Sequence, residues 1–247
     1  DKFVNDKVDL IIVFPTEASL EARAATEGSG IPVLFTYAII EGMGIVEDTR
    51  NPGGNITGVR YPGTDIAMKR FEILMRLAPD AKRVAVPYQR GYPIVGPQLQ
   101  ALHLSAAAAG VTLVEGPADN AADLQAFFDA QADQSPFDAI LMIVEPLAVT
   151  PEPFEVMARY AYDHGILIGG AMMTSGGYES VFDVGVKSYD AGVLAAPLAD
   201  KIFKGVEVGG IPVVSSESYM IINYKAAKVL GVTIPEGLLA QANQIIR

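Results

Sequence analysis

The sequence predicts an α/β fold built on parallel sheets flanked by helices, and three observations carry that prediction. Short apolar runs recur along the chain, segments of helical periodicity fall between them, and Gly, Pro and Asn punctuate the joins. The 247 residues, 50% hydrophobic and 19% charged, supply a sizeable core and suffice for one large or two ordinary domains.

Taken in order, residues 9–14 form a short buried strand, and Thr16 is placed to cap the helix that follows, which carries Ala18, Ala22 and Ala25 and stops at Gly28 or Gly30. Residues 31–37 make the next strand. A third, over 55–61, follows a turn whose paired glycines, Gly53 and Gly54, allow positive φ. Apolar Ile66, Phe71, Leu74 and Met75 set a helix over 65–77, with Pro79 as its stop. The rhythm then repeats: a strand over 84–87, a helix over 97–109 closed by Gly110, and a strand over 111–115. Asp119 or Asn120 caps a helix that runs through Ala132. Residues 138–144 are a strand, Pro151 and Pro153 sit where a first helical turn tolerates them, and 166–169 complete the sheet. A helix over 190–204 closes at Gly205, and the tail from Lys225 to Ile245 reads as two short helices broken at Gly231 and Pro235.

Composition excludes several classes. A net charge of −11 argues against duplex nucleic acid or an anionic membrane surface as partner, since such contacts need clustered Lys and Arg. Cysteine is absent, so a disulfide framework, a thiolate metal site and a thiol nucleophile are all excluded. No apolar run reaches the ~18 residues of a membrane span, and the opening Asp1-Lys-Phe-Val-Asn-Asp6 does not resemble a signal peptide.

In open parallel sheets ligands sit beyond the carboxyl ends of the strands, which singles out the loops at 15–18, 37–44, 61–64, 88–92, 145–147 and 171–178. Five of the ten tyrosines fall there: Tyr37, Tyr61, Tyr88, Tyr92 and Tyr178. A tyrosine joins a broad apolar face to a polar handle, which suits a small amphipathic solute, although tyrosine also favours strand ends for reasons of packing. Glu145 ends the run Ala139-Ile-Leu-Met-Ile-Val144, where its carboxylate can meet a ligand ammonium, stand in solvent or join an internal salt bridge. Glu17 and Glu41 repeat that argument, and Glu17 also suits a helix N-terminus. Arg90 offers a fork of donors to a ligand carboxylate, or is surface charge. Thr16, Thr174 and Ser175 supply hydroxyls that serve equally as caps, and Met172 lies in the same loop as Thr174.

Catalytic constellations are missing. The two histidines, His103 within a helix and His164 at the end of another, have no carboxylate or histidine at metal-ligand spacing. There is no Gly-x-Ser-x-Gly elbow, Walker loop or zinc-type His-Glu-x-x-His, and Gly42-x-Gly44 lacks the third glycine of a dinucleotide site. Asn55-Ile-Thr57 matches a glycosylation acceptor formally and is read as turn chemistry. No enzyme activity, cofactor or metal is expected.

One stretch, Asn51-Pro-Gly-Gly-Asn-Ile-Thr-Gly58, together with Ile222-Asn-Tyr-Lys-Ala-Ala-Lys-Val-Leu-Gly-Val-Thr-Ile-Pro235, resembles the substrate-binding components of ABC importers of the tryptophan/tyrosine type. Asp9-Leu-Ile-Ile-Val13, Thr16-Glu-Ala18, Ile31-Pro-Val-Leu-Phe35, Lys69-Arg-Phe-Glu-Ile-Leu74, Lys82-Arg-Val-Ala85, Phe203-Lys-Gly205, Ile211-Pro-Val213 and Leu238-Leu-Ala-Gln-Ala-Asn243 extend the resemblance to essentially the whole chain. Three segments depart from the family pattern. Tyr37-Ala-Ile-Ile-Glu41 stands where the family has Thr-Asp-Pro, and Glu145 and Ala171-Met-Met-Thr174 replace an Asp and an Asp-Thr loop, so ligand identity does not carry over. Family members also carry about two further strand-helix units, roughly sixty residues, before the segment that opens here, so the resemblance implies an incomplete first lobe without its signal peptide or lipid-anchor cysteine.

The resemblance implies a type I periplasmic-binding-protein fold of two lobes that clamp a small-molecule solute, an aromatic or other amino acid among the candidates, and deliver it to a membrane permease. On that basis the first lobe covers 1–60 with 220–247 returning to it, a crossing helix region covers 61–81, the second lobe covers 82–209, and 210–219 is the hinge return. A monomer is expected, periplasmic or lipid-anchored outside the cytoplasm. The same architecture also serves as the sensing domain of receptors and transcriptional regulators, the alternative reading; an enzyme is the third.

Overall fold

The computed structural model describes residues 2–131 and 136–247, which fall into two compact units. In chain order the elements are helix α1 (Lys2–Asn5), strand β1 (Ile11–Val13), α2 (Thr16–Thr26), β2 (Val33–Ala38), β3 (Ile56–Arg60), α3 (Gly63–Leu77), β4 (Arg83–Gln89), α4 (Val95–Ala109), β5 (Thr112–Ala118) and α5 (Ala121–Asp129). They continue with β6 (Ala139–Leu141), α6 (Pro151–His164), β7 (Leu167–Gly169), β8 (Thr174–Ser175), β9 (Tyr178–Glu179), β10 (Phe182–Gly185), α7 (Ser188–Phe203), β11 (Val214–Ser215), β12 (Tyr219–Asn223), α8 (Tyr224–Val229), α9 (Glu236–Leu239) and β13 (Gln244–Ile246), with 3-10 turns at Leu147–Val149 and Val208–Gly210.

The first unit takes in the described residues up to Gly63 and Val186–Ser218; the second takes in Thr64–Gly185 and Tyr219–Arg247. These bounds differ from the expected lobes at α3, which falls in the second unit instead of a separate crossing region, at α7 and at the tail. Helix α7 belongs to the first unit because Ala191, Ala195, Leu198 and Ile202 bury against Leu34 and Val59. The tail belongs to the second, because β12 pairs antiparallel with β10 and parallel with β13. The tail is also not two helices to its end, since Gln244–Ile246 is a strand. The α5 end expected at Ala132 lies outside the described residues.

In the first unit four parallel strands run in the order β1-β2-β3-β11. Alternation along β2 decides the layering. Val33 and Phe35 point to the α2 side with Ile45 and Ile56, while Leu34 points to the α7 side with Val59. Both faces are therefore covered, and each fully buried aliphatic of this kind contributes about 2 kcal/mol.

The Pro-Gly-Gly-Asn turn closes the amino ends of these strands. The Asn55 amide donates to Thr26 Oγ1 (2.9 Å) and to the Ile31 carbonyl, Thr57 Oγ1 donates to the Ile211 carbonyl (2.7 Å), and the Gly53 N–H donates to the Gly209 carbonyl (3.1 Å). Gly58 packs so closely on β2 that a β-carbon there would lie 2.1 Å from the Phe35 carbonyl oxygen.

The second unit has a parallel sheet in the order β5-β4-β6-β7, and the bridge between Gly170 and Asp183 joins it to the sheet β10-β12-β13. Asn120 caps α5 as its position predicts, with Oδ1 accepting from the N–H groups of Ala122 (2.9 Å) and Asp123 (3.1 Å). Gly110 ends α4 in the left-handed conformation, φ 67°, which a residue with a β-carbon adopts at a cost. The β8–β9 hairpin, absent from the sequence reading, packs on α6 through Ser175 Oγ, which donates to Glu155 Oε1 (2.6 Å).

Gly58→Ala is expected to lower stability by about 3 kcal/mol or more, because neither the β2 carbonyl nor the Phe35 ring can give way without separating the strands. Urea unfolding monitored by circular dichroism measures the loss.

Candidate functional site

All four strands of the first unit's sheet end at one edge, and three aromatic rings gather there. Tyr37, at the end of β2, lies between Phe14 after β1 (centroids 5.2 Å apart) and Tyr61 after β3 (4.7 Å, edge to face). Tyr37 occupies the register break between Thr36 and Ala38 with φ 60°, a strained backbone for a non-glycine residue, and its hydroxyl donates to the Val186 carbonyl (3.1 Å). The strain turns the ring out of the strand's alternation and holds it against its two neighbours. Phe14 is 55% exposed, so the shelf presents apolar surface to solvent.

The polar residues expected around it are largely engaged. Thr16 is buried and does not cap α2; its Oγ1 accepts from the Ile39 N–H (2.9 Å) and pins the loop after β2 to the start of α2. Glu17 lies in the first turn of α2, the place where the helix dipole favours a carboxylate. Glu41 forms an ion pair with Arg60, whose Nε donates to Ser215 Oγ (3.2 Å). Ser216, just beyond β11, has a buried hydroxyl without a hydrogen-bond partner.

The second unit distributes its candidates differently. Tyr88 donates to Glu115 Oε2 (2.7 Å), and Glu115 Oε1 meets His103 Nε2 (2.7 Å), so Tyr88 faces α4 instead of the loop. Burial, then the bond to Glu115, pushes the Tyr88 hydroxyl up to about 12. Burial also pulls the Glu115 carboxyl up, but the bonds from Tyr88 and His103 outweigh it and hold the group below its ordinary range. The sequence shows His103 no neighbouring carboxylate; the fold supplies Glu115. Arg90 is exposed and tied to Asp119 (3.3 Å) and the Pro117 carbonyl (2.9 Å), joining the ends of β4 and β5. Tyr92 lies half-buried in the turn after β4, its N–H bonded to the Gln89 carbonyl (3.3 Å).

Glu145 is 6% exposed, and its carboxylate serves the backbone: Oε2 accepts from the N–H groups of Gln89 (3.0 Å) and Leu147 (2.9 Å), Oε1 from Ala148 (2.6 Å). Burial raises its pKa, and the three N–H donors and the Arg70 charge offset this in part. Met172 is half-buried beyond β7, its sulfur near Ser180 Oγ (3.7 Å), and Thr174 is exposed on the β8–β9 hairpin.

Two polar groups escaped the sequence reading. Arg70 on α3 is 4% exposed and donates from Nε to the Val184 carbonyl (2.8 Å) and from Nη1 to the Met142 carbonyl (3.0 Å), while Nη2 stands 3.5 Å from Asp183 Oδ1. Their positions within an amphipathic helix and an apolar run carried no signal. Phe14 carries one, as the last residue of an expected strand, but lacks the polar handle that singles out the tyrosines. Two open grooves, about 700 Å³ beside the end of α2 and about 460 Å³ between α5 and α6, lie toward the amino ends of the strands.

Glu145→Ala leaves three buried N–H groups unpaired and is expected to cost about 3 kcal/mol or more, which urea unfolding reads directly. Glu115→Gln tests the sign of its shift. A carboxyl held below its unfolded value adds stability above that value and loses it as pH falls through the folded one, so wild type should exceed the variant at pH 7 and converge with it in acid, in melting curves taken across the range.

Comparison with known proteins agrees with this architecture. A Tyrosine-binding protein of Clostridioides difficile (strain R20291) is 28% identical over 233 residues, 93% of this chain, and the chain spans 65% of that relative's length. A conserved domain protein from Vibrio cholerae O1 biovar El Tor superposes with a TM-score of 0.82 at 28% identity, covering 99% of this chain and 80% of the other. The ABC domain of a Streptococcus pneumoniae protein in complex with L-Trp superposes with a TM-score of 0.77 at 23% identity, covering 99% and 83%. The mixed α/β fold, with parallel sheets flanked by helices, is that of type I periplasmic binding proteins. With residues 1–246 matching the family described as ABC transporter substrate binding protein, the chain belongs to that family.

Proposed function

We propose that the chain is the solute-binding component of an ABC-type importer and that its solute is an amino acid with an aromatic side chain. The observation that carries this is the Phe14–Tyr37–Tyr61 shelf at the carboxyl edge of the first unit, where ring faces and edges suit a planar apolar group. The tyrosine-binding relative and the L-Trp complex of a similarly folded protein support the same solute class. Tyr92 and Met172, beyond the carboxyl ends of β4 and β7, are proposed as ligand-facing in the second unit, with Arg90 and Thr174 at its rim. Binding without turnover, hand-over to a membrane permease and a periplasmic or lipid-anchored location complete the reading. It includes the clamping that the family resemblance implies, in which the solute favours the closed state by its differential affinity.

Thermal shift and titration calorimetry with L-tyrosine, L-tryptophan, L-phenylalanine, L-leucine, adenine and ribose test it. An aromatic amino acid at ~100 times its dissociation constant should add ~2.7 kcal/mol of stability. Tyr37→Ala should weaken that binding by roughly tenfold, the scale of one lost aromatic contact. A screen in which no amino acid binds, or a Tyr37→Ala protein that binds as tightly as its parent, would remove the proposal.

A further inference from the structure

We propose that the groove beside the end of α2 is a second binding site, for a small zwitterion of the α-amino-acid class with an aliphatic side chain, separate from the aromatic shelf. Every residue that lines it belongs to the first unit, and its volume of about 700 Å³ is that of an ordinary small-molecule site. Leu20 and Met43 give it apolar surface, both half-buried against the cluster of Val33, Phe35 and Ile45.

Two opposite charges line the same groove without meeting. Arg23 and Glu27 stand four residues apart, yet neither side chain has an ion pair or hydrogen bond among the described residues. In the Arg-before-Glu order, the weaker of the two along a helix, such a pair is worth no more than about 0.5 kcal/mol, so a ligand that meets both charges gives up little by keeping them apart. Arg23 reaches instead toward the turn after β2, where its Nη1 stands 3.8 Å from the place of a β-carbon on Gly44. Asn55 adds a third polar group. Its amide nitrogen is committed to Thr26 Oγ1 and to the Ile31 carbonyl, which leaves Oδ1 as an acceptor with no donor among the described residues.

These groups converge on one class of ligand. A carboxylate matches the forked donors of Arg23, an ammonium with three donors matches the Glu27 carboxylate and Asn55 Oδ1, and an aliphatic side chain matches Leu20 and Met43. A ligand with a single charge leaves the opposite group unmatched. Glycines at positions 28, 30 and 54 line the remaining wall, so the groove is entered without displacing a side chain there.

The probes are L-leucine, 4-methylpentanoate, which lacks the ammonium, and 3-methylbutylamine, which lacks the carboxylate, each titrated while NMR follows the amide resonances of Gly28, Gly30, Gly44 and Gly54. L-leucine is expected to shift these resonances and to bind roughly threefold to fivefold more tightly than either analogue, the upper scale of one exposed ion pair. Arg23→Gln should remove the advantage over 3-methylbutylamine, and Glu27→Gln the advantage over 4-methylpentanoate. Ala24→Trp fills the groove from an exposed helix position, keeps both charges and should abolish the shifts. Circular dichroism reports that each variant folds, and all three should bind L-tyrosine and L-tryptophan as wild type does, which separates this groove from the shelf. No shift with L-leucine, shifts confined to residues outside the groove, or analogues that bind as tightly as L-leucine overturn the proposal and leave the solute proposed for the shelf untouched.

Discussion

Everything at the candidate site depends on one constraint: within each unit the strands of the four-stranded sheet run the same way. Parallel ladders demand helices on their faces, and in the first unit the sheet is sealed by apolar side chains on both sides. Function is pushed to the edge where the strands stop. There the chain must turn, its peptide groups lose their ladder partners, and side chains emerge that alternation no longer directs into the core.

Those freed peptide groups consume most of the polar residues that arrive with them. Thr16 takes the N–H of Ile39, Gln98 closes on both polar groups of Val144 and Glu145 gathers three N–H groups at once. Arg70 caps the carbonyls of Met142 and Val184. Each is buried and each removes an unpaired backbone group that would otherwise weaken the edge by a large part of the domain's margin. What the proposed recognition draws on is the ring surface of the aromatic shelf around Tyr37.

The division between legible and illegible in the sequence follows the same line. The order of strands and helices could be read because apolar runs and helical spacing are local, and so were the Asn120 cap and the Gly110 stop. Tyr219-Met-Ile-Ile-Asn223 straddles the expected hinge return and the returning tail, and its membership of a sheet with β10 becomes visible only through a pairing across some forty residues. Tyr37 and Tyr61 were placed correctly at strand ends, yet their contact needed the strand order. For Tyr88 the deciding term is register, which is not local: opposite Pro117 on β5, it shares a face with Glu115, two residues back, and bonds to it. Glu145 was found at the right end of the right strand, but no spacing rule announces that a carboxylate will fold back on the N–H groups of its own turn.

Residues 52–58 lie toward the end of β3 away from the shelf, tying Thr26, Ile31, Gly209 and Ile211 together. On the proposed reading, what secures the sheet and what meets the solute lie at opposite ends of the same strands. A substitution at the turn therefore tests whether the sheet holds together, and one at the shelf tests what the proposed reading says it holds.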